Sequence, residues 1–257
     1  MFMIKIAVSG KGGVGKTTIS GTLARLLARE GYDVLAIDAD PSMNLASSIG
    51  VRDPPKPLTE LKDLIEERAG GVDGLFKVNP KVDDITGRFG VVGPDGVRLL
   101  VMGTVERGGG GCMCPASSFL RALLRHVILK DSSAVILDME AGIEHLGRGT
   151  TRGIDLMLMV VEPGARSIQT ALRIVELGSE IGITNFAAVI NKATDSSLIE
   201  EKLSLLGIPV IGIIPFDPLL VEADLKGVSP IELGGPGVEQ IIEIKYRILG
   251  EYFVKDD

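Results

Sequence analysis

A glycine-rich run between an apolar strand and an amphipathic helix constrains this chain more than any other feature. Residues 10–18 read Gly-Lys-Gly-Gly-Val-Gly-Lys-Thr-Thr, which fits Gly-x-x-x-x-Gly-Lys-[Ser/Thr]. Met3-Ile4-Lys5-Ile6-Ala7-Val8 precedes the run as a strand, and Ile19, Leu23, Leu26 and Leu27 follow it at helical spacing. A strand, a glycine loop and a helix in that order leave backbone N–H groups pointing into a concavity at a helix N-terminus. Those donors and the helix dipole hold phosphate. The pattern predicts that Gly12, Gly13, Val14, Gly15, Lys16, Thr17 and Thr18 cradle a nucleoside triphosphate. Lys16 reaches the β- and γ-phosphates, and the Thr17 hydroxyl ligates Mg²⁺.

The rest of the chain alternates in the same way. Strands are expected at 3–8, 33–38, 97–102, 133–138, 155–161, 186–191 and 209–214, and helices at 16–29, 116–129, 166–181, 196–206 and 237–252. Several of these strands are almost wholly apolar, as parallel strands covered on both faces must be. The expected fold is therefore α/β: a doubly wound, mostly parallel sheet flanked by helices, with ligands at the carboxyl ends of its strands. Val92-Gly93-Pro94-Asp95-Gly96-Val97 reads as the turn of an antiparallel edge hairpin. Residues 53–90, rich in Pro, Gly and charge, read as a peripheral excursion in which Leu58–Arg68 is helical. At 257 residues and 45% hydrophobic content the chain suits one P-loop domain spanning 1–257.

Charge and composition narrow the partners. The net charge is −7 with no long basic block, which argues against nucleic acid as a partner. No apolar run approaches the roughly 18 residues of a membrane helix. The carboxyl-terminal stretch Val238–Asp257 mixes acids and bases rather than forming a basic membrane-binding face. Its Ile241, Ile242, Leu249 and Phe253 are expected to dock on the domain. The first strand begins within three residues of Met1, which is read as leaving no signal peptide and placing the protein in the cytoplasm.

Two strands end in acids. Asp38-Ala39-Asp40-Pro41 follows the second expected strand and Asp138-Met139-Glu140-Ala141-Gly142 the fourth. Both deliver carboxylates to the sheet edge that carries the phosphate loop. Mg²⁺ binds few protein carboxylates and keeps several waters, so Asp38 and Asp138 are read as water-mediated partners of the ion. Asp40 is read as orienting or activating the attacking water, the alternative being a turn and cap opened by Asp40-Pro41. After the strand at 186–191, Asn191 offers both a donor and an acceptor to the edge of adenine, with Lys192 beside it. Pro215, Phe216 and Asp217, after the next strand, form the expected opposite wall of the base pocket.

Lys11-Gly12-Gly13-Val14-Gly15-Lys16-Thr17-Thr18, together with Asp38-Ala39-Asp40 and Asp138, resembles the deviant Walker A ATPases. These are the MinD- and ParA-like septum-site and partition proteins, the nitrogenase iron protein and metallocentre-assembly factors. The resemblance spans nearly the whole chain. It implies a nucleotide-dependent homodimer in which Lys11 reaches the partner's phosphates as a catalytic cation, and a MinD-like fold. Without it, Lys11 reads equally well as a solvated loop lysine.

The chain's two cysteines fall in one tripeptide, Cys112-Met113-Cys114, after four glycines and before Pro115 and an amphipathic helix. A helix N-terminus lowers thiol pKa and favours the thiolate that binds metal. Two thiolates do not close a tetrahedral site. His126 lies about three turns further along the expected helix, and His145 falls in the segment after Asp138. A two-fold axis that brings Cys112 and Cys114 from each of two chains together completes four sulfurs; inert buried thiols and a redox pair remain the alternatives.

The segment Asp138-Met139-Glu140-Ala141-Gly142-Ile143-Glu144-His145-Leu146-Gly147-Arg148-Gly149, with Cys-x-Cys and Pro115, resembles the CooC-type ATPases that assist nickel insertion into carbon monoxide dehydrogenase. That resemblance implies Ni²⁺ or Zn²⁺ held by paired Cys-x-Cys motifs across an ATP-linked dimer. It also implies hydrolysis to ADP coupled to metal release, with apo carbon monoxide dehydrogenase as the client; acetyl-CoA synthase is the alternative. Two further readings compete. One is an iron-protein-like electron-transfer ATPase with a bridging iron–sulfur cluster, although that family's cysteines come from two separate loops. The other is a positioning ATPase at membrane or nucleoid, which the mixed-charge tail disfavours.

Overall fold

The computed structural model describes residues 3–70, 77, 79–103, 115–130, 133–141 and 153–253. Strand β1 (Ile4–Gly10) feeds the glycine loop and α1 (Lys16–Arg29). β2 (Val34–Ala39) is followed by α2 (Leu45–Ile49), α3 (Lys62–Ala69) and α4 (Ile85–Phe89), then by the hairpin of β3 (Val91–Val92) and β4 (Arg98–Val101). α5 (Pro115–Lys130) leads to β5 (Ala134–Met139). β6 (Leu156–Val161), α6 (Ala165–Glu180), β7 (Phe186–Ala193), α7 (Ser197–Leu205) and β8 (Val210–Pro215) continue the alternation. α8 (Pro218–Lys226), α9 (Pro230–Leu233) and α10 (Pro236–Tyr252) close it.

The strands form one sheet in the order β3-β4-β2-β5-β1-β6-β7-β8. Every pairing is parallel except β3 with β4, the edge hairpin expected around Gly93–Gly96. β1 lies between β5 and β6, so the loop that leaves its carboxyl end sits where the winding of the sheet reverses, the position at which such sheets bind ligands.

Alternate side chains of the strands build two core layers. Ile4, Ile6 and Val8 of β1 and Ala134 and Ile136 of β5 face Ile19, Leu23 and Leu27 of α1 and Ile241, Ile244 and Ile248 of α10. Leu35 and Ile37 of β2 and Val135 and Leu137 of β5 face Phe119 and Leu123 of α5 and Ile174 of α6. Each fully buried Leu or Ile contributes about 1.5–3 kcal/mol. Ile242, Leu249 and Phe253 pack against the first layer, as expected of the last helix.

Several local outcomes differ from the sequence reading, among them the short helices α2, α4 and α9. Residues 58–69 are not one helix: Leu58–Glu60 is a 3-10 turn, and Leu61, at φ −83° and ψ 63°, separates it from α3. Nor is the 53–90 excursion peripheral, because Leu58, Leu64, Ile65, Val82 and Ile85 are buried in the layer that contains Phe119. α8 was not expected, although Asp217-Pro218 supplies a cap and a proline at its start and Gly227, at φ 62°, ends it in the left-handed region. Among the described residues no helix is long and apolar enough to cross a membrane.

Candidate functional site

The glycine loop is shaped by close approach and positive φ. A Cβ on Gly10 would lie 2.3 Å from the Val160 carbonyl oxygen of β6, so only glycine lets the two strands converge there. Gly15 caps α1 at φ 95°, and a Cβ there would lie 2.3 Å from Nδ2 of Asn191. The Asn191 amide donates to the Val14 carbonyl at 2.8 Å, and Lys192, itself at φ 56°, donates to the Gly13 carbonyl at 2.5 Å. The end of β7 thus braces the phosphate loop from behind. Asn191 is buried and one of its two amide N–H groups is spent on the loop, which leaves the other N–H and the oxygen to face a base.

The carboxylates come in registered pairs. Asp38 of β2 and Asp138 of β5 are direct neighbours across the parallel pair, and both are fully buried. Asp138 accepts the Thr17 hydroxyl at 2.7 Å and the Ser20 hydroxyl at 2.9 Å. Asp38 accepts the backbone N–H groups of Leu45 at 2.9 Å and Asp40 at 3.2 Å. Burial pushes the Asp38 carboxyl up to about 7 against those two donors, and the neighbouring Asp138 charge adds to the rise. Burial likewise pushes Asp138 up to about 6, opposed by the two hydroxyls and by Lys16.

Asp40 behaves differently. One of its oxygens accepts both the N–H and the hydroxyl of Ser42, at 2.9 and 2.7 Å, and the other lies 3.4 Å from Lys16 Nζ. Burial raises its carboxyl, but the Ser42 donors and the Lys16 ammonium outweigh that and hold it below the usual range. Lys16 is itself buried and also donates to the Lys11 carbonyl at 3.4 Å. The Thr17 hydroxyl, held by Asp138, is an oxygen donor of the kind Mg²⁺ takes alongside phosphate oxygens and water.

Lys16, Thr17 and Asp40 open on one cleft of about 350 Å³, whereas Asp38 and Asp138, expected at the same edge, are fully buried and do not line it. Its floor is Gly12, Gly13, Gly15, Lys16, Thr17 and Thr18. One side carries Asp40 and Glu140, and the other carries Asn191, Lys192, Pro215, Phe216 and Asp217. Val14 faces the core rather than the cleft and takes part through its carbonyl. Phe216 is 56% exposed, a large apolar ring left at the mouth. The Asp217 carboxylate caps α8 by accepting the Leu219 N–H at 2.9 Å and reaches α10 by accepting the Gly237 N–H at 2.8 Å, so it braces the pocket wall as well as lining it. Sequence reasoning missed Ser20, Ser42 and Glu162; only the folded chain brings Ser20 and Glu162 near their partners, whereas Ser42 is a local partner two residues from Asp40.

Lys11 is folded back onto its own chain, with Nζ 3.4 Å from Glu162 Oε1, just past β6. Cys112, Cys114, His145 and the segment 142–152 lie outside the described residues, and α5 begins directly after the cysteines at Pro115. His126 is half-buried on α5. Among the described residues no group of three or more His, Cys, Asp or Glu side chains is placed to hold a metal ion.

Comparison with known proteins agrees with this geometry. The family described as the CobQ/CobB/MinD/ParA nucleotide binding domain matches residues 5–231. The carbon monoxide dehydrogenase accessory protein CooC of Rhodospirillum rubrum is 45% identical over 242 residues, covering 90% of each chain. An uncharacterized ATP-binding protein of Methanocaldococcus jannaschii is 45% identical over 249 residues, covering 94% of this chain and 96% of that one. Among solved structures, the septum site-determining protein MinD of Pyrococcus horikoshii in complex with Mg-ADP superposes with a TM-score of 0.71 at 21% identity, covering 99% of this chain and all of that one; it shares the fold.

Proposed function

The chain belongs to the CobQ/CobB/MinD/ParA family of P-loop ATPases, and from that premise we propose that it serves carbon monoxide dehydrogenase as an ATP-driven accessory factor that delivers nickel. The observation that carries this reading is the 45% identity to the Rhodospirillum rubrum accessory protein along 90% of both chains. The Cys112-Met113-Cys114 tripeptide adds the ligand chemistry. Thiolates take four-coordinate Zn²⁺ and square-planar Ni²⁺, and two chains supply the four sulfurs that one lacks. The whole of 1–257 acts as one ATPase domain, working as a cytoplasmic, nucleotide-dependent homodimer.

In this reading the loop N–H groups and Lys16 hold the triphosphate, while Asn191 and Phe216 hold the base. Thr17, with Asp138 and Asp38 behind it, would hold Mg²⁺, which would supply charge neutralisation to the phosphates. Asp40 orients the attacking water. Lys11 leaves Glu162 and supplies positive charge to the facing subunit's phosphates, so hydrolysis waits for pairing. ATP closes the dimer around the metal, and conversion to ADP loosens the paired cysteines and frees the cargo for the client.

Metal content and mass, measured together with and without ATP, test this. One Ni²⁺ or Zn²⁺ per two chains in an ATP-dependent dimer, lost in Cys112→Ser and Cys114→Ser, is the expected result. A monomer that holds a full equivalent alone, or serine variants with unchanged metal and dimerisation, would overturn it.

A further inference from the structure

β2 and β5 end in step. Asp38 pairs with Asp138 and Ala39 with Met139, so Asp40 and Glu140 each follow the last paired rung of their strand. Adjacent strands lie about 4.8 Å apart, and residues two apart share a face. The four acids therefore form two rungs, a buried inner one and an outer one that opens on the nucleotide cleft beside Lys16 and Thr17. The backbone of Glu140 is fixed there by the buried Ser9 hydroxyl, which donates to the Glu140 carbonyl at 3.0 Å.

The two outer acids differ in what they have left to offer. Both oxygens of Asp40 are engaged, by Ser42 and by Lys16. Glu140 is exposed, is one methylene longer, and among the described residues no hydrogen bond or ion pair occupies its carboxylate. Hydrolysis needs an acceptor for a water held in line with the γ-phosphorus. Asp40 keeps little acceptor capacity for that water, whereas Glu140 keeps all of its own.

We propose that Glu140 is a catalytic residue of the hydrolysis, holding the attacking water with Asp40 and accepting its proton. The water oxygen bonds to the γ-phosphorus as the bridging P–O bond breaks. The bonding pair leaves on the β-phosphate oxygen of ADP, and the proton passes to the Glu140 carboxylate. This rests on the ATPase reading above and goes beyond it by separating the two outer acids: Asp40 orients, Glu140 accepts.

Single-turnover hydrolysis of ATP and equilibrium affinity for ATP and ADP, each with Mg²⁺, test it in full-length wild type, Glu140→Gln and Glu140→Asp. The expected result is a loss of about 100-fold or more in hydrolysis for Glu140→Gln with affinity within about 2-fold, so that ATP accumulates on the variant, and partial recovery in Glu140→Asp. Hydrolysis by Glu140→Gln within about 3-fold of wild type would overturn the proposal, as would a rate loss matched by an equal affinity loss. A wild-type protein that binds but does not hydrolyse ATP would overturn the ATPase reading itself, a result distinct from either.

Discussion

Lys11 Nζ sits 3.4 Å from Glu162 Oε1 of the same chain, with 43% and 31% of the two side chains exposed. A half-exposed pair of this kind is worth about 0–1 kcal/mol. The contact therefore parks the lysine without locking it. If Lys11 acts across a dimer, Glu162→Gln lowers the cost of leaving and tightens ATP-dependent dimerisation by no more than about 5-fold, while Lys11→Ala abolishes hydrolysis and leaves ADP affinity within about 2-fold. Sedimentation with ATP and a nucleotide titration read both effects. Equal hydrolysis by Lys11→Ala would remove Lys11 from the mechanism.

The buried pair Asp38 and Asp138 makes the nucleotide-free protein sensitive to pH in a defined direction. Their carboxyls stand at about 7 and about 6, against an ordinary value of 3.8. Between 3.8 and about 7 the folded state binds more protons than the unfolded one, so this contribution is fully present below 3.8 and is lost as pH rises to about 7. Thermal unfolding without nucleotide should show that decline across the window. Asp38→Asn, which cannot ionise, should be less stable at low pH because one of its two N–H partners is lost, and its shallower decline should narrow that difference as pH rises. A variant slope equal to that of wild type would place the titration elsewhere.

What the sequence disclosed, and what it did not, follows from the range of the forces involved. The phosphate loop and the apolar strands are local patterns: Lys16 and Thr17 could be named because a motif places them before any tertiary contact forms, and Asp138 because an acid ends an apolar strand. The edge hairpin was legible for the same reason, through Gly93-Pro94-Asp95-Gly96. The 53–90 stretch misled because its Pro and charge resemble a surface loop, while Leu58 and Ile85 are spaced too irregularly to advertise a buried face. Ser20 and Glu162 had no local signal at all, since each matters only through a partner more than a hundred positions away. Asp217 was found as a pocket wall, but its capping role was encoded in the Pro218 that follows it and was not read there. Cys112 and Cys114, outside the described residues, stand on the sequence argument.

Asp217 joins two helices, accepting from Leu219 on α8 and from Gly237 on α10. Removing the carboxylate strands both N–H groups, each in the first turn of its helix. Asp217→Ala should cost about 1–3 kcal/mol, from a lost cap and an unsatisfied buried amide. For a chain of this size that is a fall of about 2–12 °C in Tm. Asp217→Asn should recover part of it, because one oxygen still accepts. If Asp217 served only the base, Tm would hold and only nucleotide affinity would fall; differential scanning with and without ADP separates the two.

Gly15 tests whether the brace from β7 matters to the phosphate loop. Alanine there would sit at φ 95° with its Cβ 2.3 Å from Asn191 Nδ2. The left-handed backbone alone costs an L-residue about 1–2 kcal/mol. The overlap must in addition push the Asn191 amide off the Val14 carbonyl, breaking a buried 2.8 Å hydrogen bond. Gly15→Ala should therefore lower ADP affinity by at least about 10-fold, since a loop displaced by a fraction of an ångström no longer aims its N–H groups at phosphate. The clash and the backbone strain separate in a double variant. Gly15→Ala with Asn191→Ala removes the overlap but keeps the strain, so the two losses should be less than additive. Strict additivity would mean that Asn191 and the loop act independently, and that the brace is incidental to binding.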